Sequence, residues 1–258
     1  MHITSTQNPT VKRVIKLHNN KRQRQNDQLM VVEGFDEITL AMQAGHLPES
    51  VFCAPDLTSR ELPGLNSHAI TVSKAVFEKM AYRQHPDGWL ALFPIPQSSP
   101  DALNLPAAPL FIIAESVEKP GNLGVILRTA DAVGANAVFI CDRRVDVWSP
   151  NVVRASRGTI FSVPLFEMEN EEALRWLRNH NISVLAATPS ASTIYADVDL
   201  CKPIAVAVGT ESEGLSDFWL SNAEERIVIP MAGKVNSLNV SVSLALIVYE
   251  AILQRRKL

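Results

Sequence analysis

Cysteine is scarce in this 258-residue chain, with only Cys53, Cys141 and Cys201. Their odd number, wide spacing and lack of a CxxC pair exclude a disulfide framework and a cysteine-built zinc site; they fit reduced, mostly buried thiols. The six histidines, His2, His18, His46, His68, His85 and His180, include no pair at metal-ligand spacing, so no metal is expected. Aromatic residues make up only 6% of the chain, and Trp148, Trp176 and Trp219 are read as packing or interface residues rather than base-stacking platforms. No apolar run of signal-peptide length follows Met1, and internal repeats and low-complexity tracts are lacking. A cytoplasmic globular protein without a membrane partner is therefore expected, and 47% hydrophobic residues suffice for a sizeable core.

Acid is missing from the first 26 residues. Lys12, Arg13, Lys16, Lys21, Arg22 and Arg24 precede Asp27, so the other 18 cations face all 27 acids. The net charge of −3 thus hides a basic N-terminal arm on an acidic body. Such a run is either a solvated helix face or a phosphate-contacting surface, since phosphate contact needs only local charge.

The pattern from Ile3 to about Pro96 is mixed. A basic helical segment precedes a strand at "LMVVEG", a helix at "FDEITLAMQAG", strands at "SVFCA" and "AITVS", a helix at "KAVFEKMA" and a strand at "GWLALFPI". The stretch "PIPQSSPDALNLPAAP" holds five prolines in sixteen residues and reads as a linker. The expected division is a small α/β domain over 1–97, a linker over 98–108 and a second domain over 109–258. In that second domain, short apolar runs alternate with helical patterns at "NLGVILRTADAVGA", "SPNVVRASRGTIF" and "NEEALRWLRNH", which predicts a mostly parallel sheet covered on both faces. Ligands of such sheets bind beyond the carboxyl ends of the strands.

Three strand ends carry small and polar residues. The first, after "LFIIAE", offers Gly121 and Gly124 for a tight turn and Asn122 as a helix cap. It has neither the GxGxxG of dinucleotide folds nor the GK[ST] of a P-loop. Arg128, among Val125, Ile126, Leu127, Ala130 and Ala132, must snorkel or meet an anion, either as a structural salt bridge or as a ligand contact. The second, "AVAVGTESEGLS", has Gly209 for close backbone approach, Glu211 and Glu213 for charge, and Gly214 for chain reversal. The third, "IVIPMAGKVNSLNVS", leads into "KVNSLNVSVSLALIVYE", where Ser237 is the expected cap of a final helix. On that helix Leu238, Val242, Ala245 and Tyr249 share one face.

In this order the three stretches resemble the motifs of the SpoU branch of the SPOUT RNA methyltransferases, over residues 109–258. The second motif departs from the family's usual Gly-Asn-Glu in having Gly209, Thr210 and Glu211. "MVVEGFDEITLAMQAG" is similar to the L30e-like substrate-binding domain that often precedes this fold, and "RASRGTIFSVP" to the thiostrepton-resistance rRNA methyltransferases. The resemblance implies an α/β-knot: a mostly parallel sheet with a C-terminal trefoil knot, which pattern reasoning alone would not propose. It implies transfer of a methyl group from S-adenosylmethionine to a ribose 2′-hydroxyl by a homodimer, with 23S rRNA the expected substrate and tRNA the alternative. It assigns Arg128, Asn122, Glu211, Ser237 and Asn239 to catalysis and Ala187, Thr188, Gly209, Ile229, Met231 and Leu238 to the cofactor. RNA would meet Lys12, Arg13, Lys21, Arg22 and Arg24 of the basic arm together with Arg154 and Arg157. None of the three motifs contains His, so an imidazole base is not expected. Two other readings stand beside this one, an RNA-binding or assembly factor that has lost catalysis and an unrelated α/β enzyme acting on a small nucleotide.

Overall fold

A computed structural model describes residues 2–65, 68–210 and 212–256. They divide into two compact units, residues 1–97 with 146–162, and residues 98–145 with 163–258. The segment 146–162, which the sequence reading kept in the second domain, packs within the first unit, so the chain passes between units three times.

The first unit contains β1 (His2–Ile3), α1 (Pro9–Asn19), α2 (Lys21–Asp27), β2 (Leu29–Glu33), α3 (Phe35–Gln43), β3 (Ser50–Cys53), β4 (Ile70–Val72), α4 (Lys74–Met80) and β5 (Trp89–Pro94). Its sheet runs β1-β4-β3-β5-β2, parallel at β1/β4 and β3/β4 and antiparallel around β5. The basic segment folds as two helices because Asn8 and then Asn20 interrupt it, their side chains accepting from Thr10 N at 2.9 Å and Gln23 N at 3.1 Å. Val11, Val14 and Leu17 bury one stripe of α1 and leave Lys12 and Arg13 outside.

The second unit continues with β6 (Leu110–Glu115), α5 (Pro120–Ala132) and β7 (Ala137–Cys141). The chain then contributes α6 (Pro150–Ser156) to the first unit before β8 (Leu165–Met168), α7 (Asn170–Asn179), β9 (Ser183–Ala187), β10 (Thr193–Ile194), β11 (Ile204–Val208), α8 (Asp217–Asn222), β12 (Glu225–Val228) and α9 (Val240–Arg255). The sheet order is β10-β12-β9-β11-β6-β7-β8, and every pairing is parallel. β6, β7 and β11 are buried at every residue, as continuous apolar runs in a doubly covered sheet require. Although β12 lies near one edge, α9 returns to pack on α5 and on the central strand β11, the path that a knotted C terminus needs.

Several local expectations are corrected. α5 starts at Pro120, whose missing N–H suits the first helical position, so Asn122 sits inside the first turn and is not the cap. α9 is capped by Asn239, which leaves Ser237 in the preceding loop. Val242 and Tyr249 are 46% and 48% exposed, and the buried stripe of α9 is Val240, Leu244, Ile247, Val248 and Ala251. The helix expected over 149–161 stops at Ser156 because Arg157 takes a left-handed φ of 51°. The two-residue strands β1 and β10, the six-residue α8 and a 3-10 turn in the linker at Pro100–Ala102 are too short to carry a periodic signal.

Arg24 is also reassigned. Its charge grouped it with the RNA-contacting arm, yet it is 5% exposed and donates to the carbonyls of Leu17 and His18 and to the Asp146 carboxylate. It fastens α1, α2 and the returning 146–162 segment inside the first unit. Removing one partner of a shielded ion pair strands the other charge. Asp146→Ala should therefore cost about 3 kcal/mol in thermal or urea unfolding, and the apolar pair Arg24→Met with Asp146→Leu should recover most of it.

Candidate active site

Parallel strands end on the same side, so the order β12-β9-β11-β6 sets the segments beginning at residues 229, 188, 209 and 116 next to one another. The register fixes this: Ala187 lies opposite Ile227 and Val208 opposite Ala114. Five of the six residues expected at the cofactor, Ala187, Thr188, Ile229, Met231 and Leu238, are half-buried at this edge, and Gly209 is buried. Thr188 N donates to Ile227 O at 2.9 Å and fastens the end of β9 to β12. Residues 229–239 form neither helix nor strand. None of the six is charged. An uncharged set of this kind, with backbone amides and one hydroxyl, suits a flat heteroaromatic ring and a thioether or sulfonium chain better than a polyphosphate.

Gly209 is required by the loop's own backbone. A Cβ there would come within 2.0 Å of Gly214 O and 2.5 Å of Leu215 N. Thr210 and Gly214 exchange backbone hydrogen bonds of 3.0 Å, and Gly214 closes the turn at a φ of 73°. Glu211 lies outside the described residues. Thr210, which replaces the family's usual Asn, accepts from Glu213 N through Oγ1 at 2.9 Å, so its hydroxyl braces the turn.

The first and third motifs meet through two amides. Asn239 Nδ2 donates to Asn122 Oδ1 at 3.2 Å, while Asn239 Oδ1 accepts from Ser241 N at 3.1 Å and Ser241 Oγ at 2.5 Å. The contact brings the N-terminal ends of α5 and α9 together, where the helix dipoles favour negative charge. Beside it lies a cavity of about 160 Å³ lined by Val117, Glu118, Lys119, Asn122, Thr210, Ser212 and Val240. Ser237 is exposed in the loop before Asn239 and is not among the lining residues. Arg128 is exposed too, six residues beyond Asn122, or about 9 Å along the helix, and does not line the cavity.

Sequence reasoning missed the scaffold beneath this edge. Glu115, 2% exposed at the end of β6, accepts from Asn170 Nδ2 at 3.0 Å, Ser216 N at 2.7 Å and Ser216 Oγ at 2.6 Å. Asn170 Oδ1 in turn accepts from Trp219 Nε1 at 2.9 Å. A buried carboxylate is tolerated only when so satisfied, and here it joins the starts of α7 and α8 to the central sheet. Nearby, burial pushes the Cys141 thiol pKa up, and the Glu115 charge adds to the effect. Ser116 and Asp142, which follow β6 and β7, both take left-handed φ values, 53° and 43°, and are joined through Ser116 Oγ. Arg144 Nη1 meets Glu118 at 2.9 Å and Glu213 at 3.3 Å, bridging the segments that follow β6 and β11; the Glu118 bond raises the guanidinium pKa. The only sequence trace was acids and cations beside strand ends, a pattern shared by most loops.

The expected RNA-contacting cations divide. Lys12, Lys21, Arg22, Arg154 and Arg157 are exposed. Arg13 pairs with Asp27 at 3.3 Å and Glu49 at 2.7 Å, and Arg24 is buried as described. Among the described residues no helix is long and apolar enough to cross a membrane, and no group of three His, Cys, Asp or Glu side chains could hold a metal ion.

Comparison with known proteins agrees with this arrangement. Residues 109–249 match the model of the SpoU rRNA methylase family, and residues 8–91 match the MRM3-like substrate-binding domain. An uncharacterised tRNA/rRNA methyltransferase of Synechocystis sp. is 34% identical over 96% of this chain and 92% of its own. A crystal structure of an RNA 2′-O ribose methyltransferase superposes with a TM-score of 0.86 and 39% identity, covering 99% of this chain and all of that one. The AdoMet-bound rRNA methyltransferase of Sinorhizobium meliloti gives a TM-score of 0.90 at 26% identity, over 100% and 98% of the two chains. With its parallel sheet, its three motifs at one sheet edge and its preceding substrate-binding domain, the chain belongs to the SpoU family of SPOUT methyltransferases.

Proposed function

We propose that the protein transfers a methyl group from S-adenosylmethionine to a ribose 2′-hydroxyl of RNA, with ribosomal RNA preferred over transfer RNA. The observation that carries this reading is the junction of Asn122 and Asn239, from the first and third motifs, in a chain whose parallel strands β9, β11 and β12 end side by side. S-adenosylmethionine, when bound, supplies an activated sulfonium methyl. The chain's own residues then have to hold the ribose hydroxyl in line, and orientation of this kind is worth roughly 7 to 11 kcal/mol. Ala187, Thr188, Gly209, Ile229, Met231 and Leu238 are the residues we assign to the cofactor, while Asn122, Asn239 and Ser237, with Glu211, are assigned to orienting the substrate. A planar guanidinium offers five donors and no acceptor, so Arg128 serves as a phosphate grip that fixes the ribose rather than as a base. The first unit is proposed as the RNA-binding module, with Lys12, Lys21, Arg22, Arg154 and Arg157 as its phosphate contacts.

A homodimer is the second part of the proposal. Val242, Leu246, Tyr249 and Leu253 recur at helical spacing on the outer face of α9 and are 41–52% exposed. Val125 on α5, which packs against α9, is 38% exposed, and Arg128 lies one turn beyond it. An apolar stripe of this length fits a second copy of the chain, and pairing would bring the exposed Arg128 to that interface.

Three outcomes are expected. Purified protein should transfer tritiated methyl groups to RNA from a deletion strain, and Arg128→Ala should lower kcat by at least 100-fold with cofactor affinity unchanged; undiminished incorporation would count against the reading. Asn239→Ser keeps a capping oxygen but cannot reach Asn122, so it should lose most methyl transfer with its melting temperature nearly intact. Asn239→Ala should also lose about 1 kcal/mol of stability. Leu246→Glu with Tyr249→Glu should convert a sedimenting dimer to a folded monomer of low activity.

A further inference from the structure

Tyr82, an exposed aromatic residue outside every motif, is held in a built setting within the first unit. The residue is 45% exposed. Its backbone N–H donates to the buried Glu33 carboxylate at 2.7 Å, and the N–H of Arg83 donates to the same group at 3.2 Å. The Arg83 guanidinium is paired with Glu37. The position of Tyr82 is therefore set by its main chain, independently of its side chain. The His18 ring lies parallel to the Tyr82 ring, at 8° and 6.2 Å between centroids, and the Arg154 guanidinium stands 5.3 Å from the ring centre. These groups and Pro150 and Val153 line a crevice with space for about one water, ≈ 10 Å³.

The charges around this cluster are arranged to keep it flat and mildly cationic. Arg24 is taken up by Asp146 and Arg83 by Glu37, while Glu33 is satisfied by backbone amides. His18 has its pKa lowered to about 4, first by desolvation and then by the Arg24 charge, so it is neutral at physiological pH and does not repel Arg154. Both His18 ring nitrogens are shielded and unpartnered. A neutral imidazole, a phenol ring and an exposed guanidinium together match the chemistry by which proteins hold unpaired RNA bases, stacked on aromatic rings or on Arg planes.

We propose that Tyr82, backed by His18 and overlain by Arg154, is a stacking platform for one unpaired nucleobase of the RNA, which takes the place of the Arg154 guanidinium over the ring as that cation turns to the neighbouring phosphate. This proposal rests on the RNA-methylation reading, and the test separates the two. Full-length protein is titrated into a single-stranded hexaribonucleotide carrying 2-aminopurine, and methyl transfer to rRNA from a deletion strain is measured in parallel. Wild type and Tyr82→Phe should quench the fluorophore. Tyr82→Ala and Tyr82→Leu should not, and their KM for rRNA should rise about ten-fold, the order expected for one lost base stack, with kcat and cofactor KM within two-fold. Circular dichroism confirms folding of each variant. Quenching that survives Tyr82→Ala, or that Tyr82→Phe abolishes, overturns the platform. Tyr82-dependent quenching by a wild type that methylates no RNA leaves the platform standing and removes the methylation reading.

Discussion

The amide of Asn239 serves two structures at once. Its oxygen accepts from Ser241 N and Ser241 Oγ to start α9, and its nitrogen donates to Asn122 in the first turn of α5. A Ser or Thr cap could begin the helix but lacks the reach to hold the other, and a longer amide would lose the capping geometry. α9 packs on both α5 and β11 through its buried stripe, and this one side chain ties its first turn to that of α5. The cavity walls at Asn122 and Val240 flank that tie, and residues 229–239, which lead into it, have no regular structure of their own.

A second constraint lies beneath that contact. The order β12-β9-β11-β6 gathers strand ends that are far apart in sequence, but the loops leaving them would diverge without anchors. Glu115 supplies one, holding Ser216 and Asn170 at the starts of α8 and α7. Gly209 supplies another by letting residues 214–215 fold back on the end of β11. Both are buried, so the exposed part of each loop can present backbone and small side chains without carrying the stability of the fold. Arg144 adds an outer tie between Glu118 and Glu213, but exposed ion pairs are weak and screened by salt, so the buried anchors dominate.

What could be read in the sequence followed from period and length. The apolar runs at 110–115, 137–141 and 204–208 are strands because no other element buries five or six consecutive side chains. Their convergence at one edge follows from parallel pairing. The two-residue strands β1 and β10, the six-residue α8 and the 3-10 turn at Pro100–Ala102 were not legible, since segments so short and without a continuous apolar run show no period. The start of α9 was misplaced by two residues because Ser237 and Asn239 are both good caps, and only the partner Asn122, 117 positions away, decides between them. The Glu115 network was invisible for a related reason. Its members come from three separate stretches, and a single Glu at a strand end is indistinguishable from a solvated one.

Charge counting met the same limit from the other side. The run that ends at Arg24 looks uniform, yet Arg24 turns inward to Asp146 while Lys21 and Arg22 point to solvent, because a seven-residue helix places position 24 on its buried face. The consequence reaches beyond one residue. By binding Asp146, Arg24 draws residues 146–162 out of the sequence-continuous second domain and into the first unit, where α6 packs against β2. The result is that Arg154 stands over Tyr82, a residue 72 positions earlier that no motif marked. A buried cation thus puts an exposed one in place. Of the two, only the exposed one remains available to RNA, and the basic arm is better understood as part scaffold and part surface than as a single electrostatic patch.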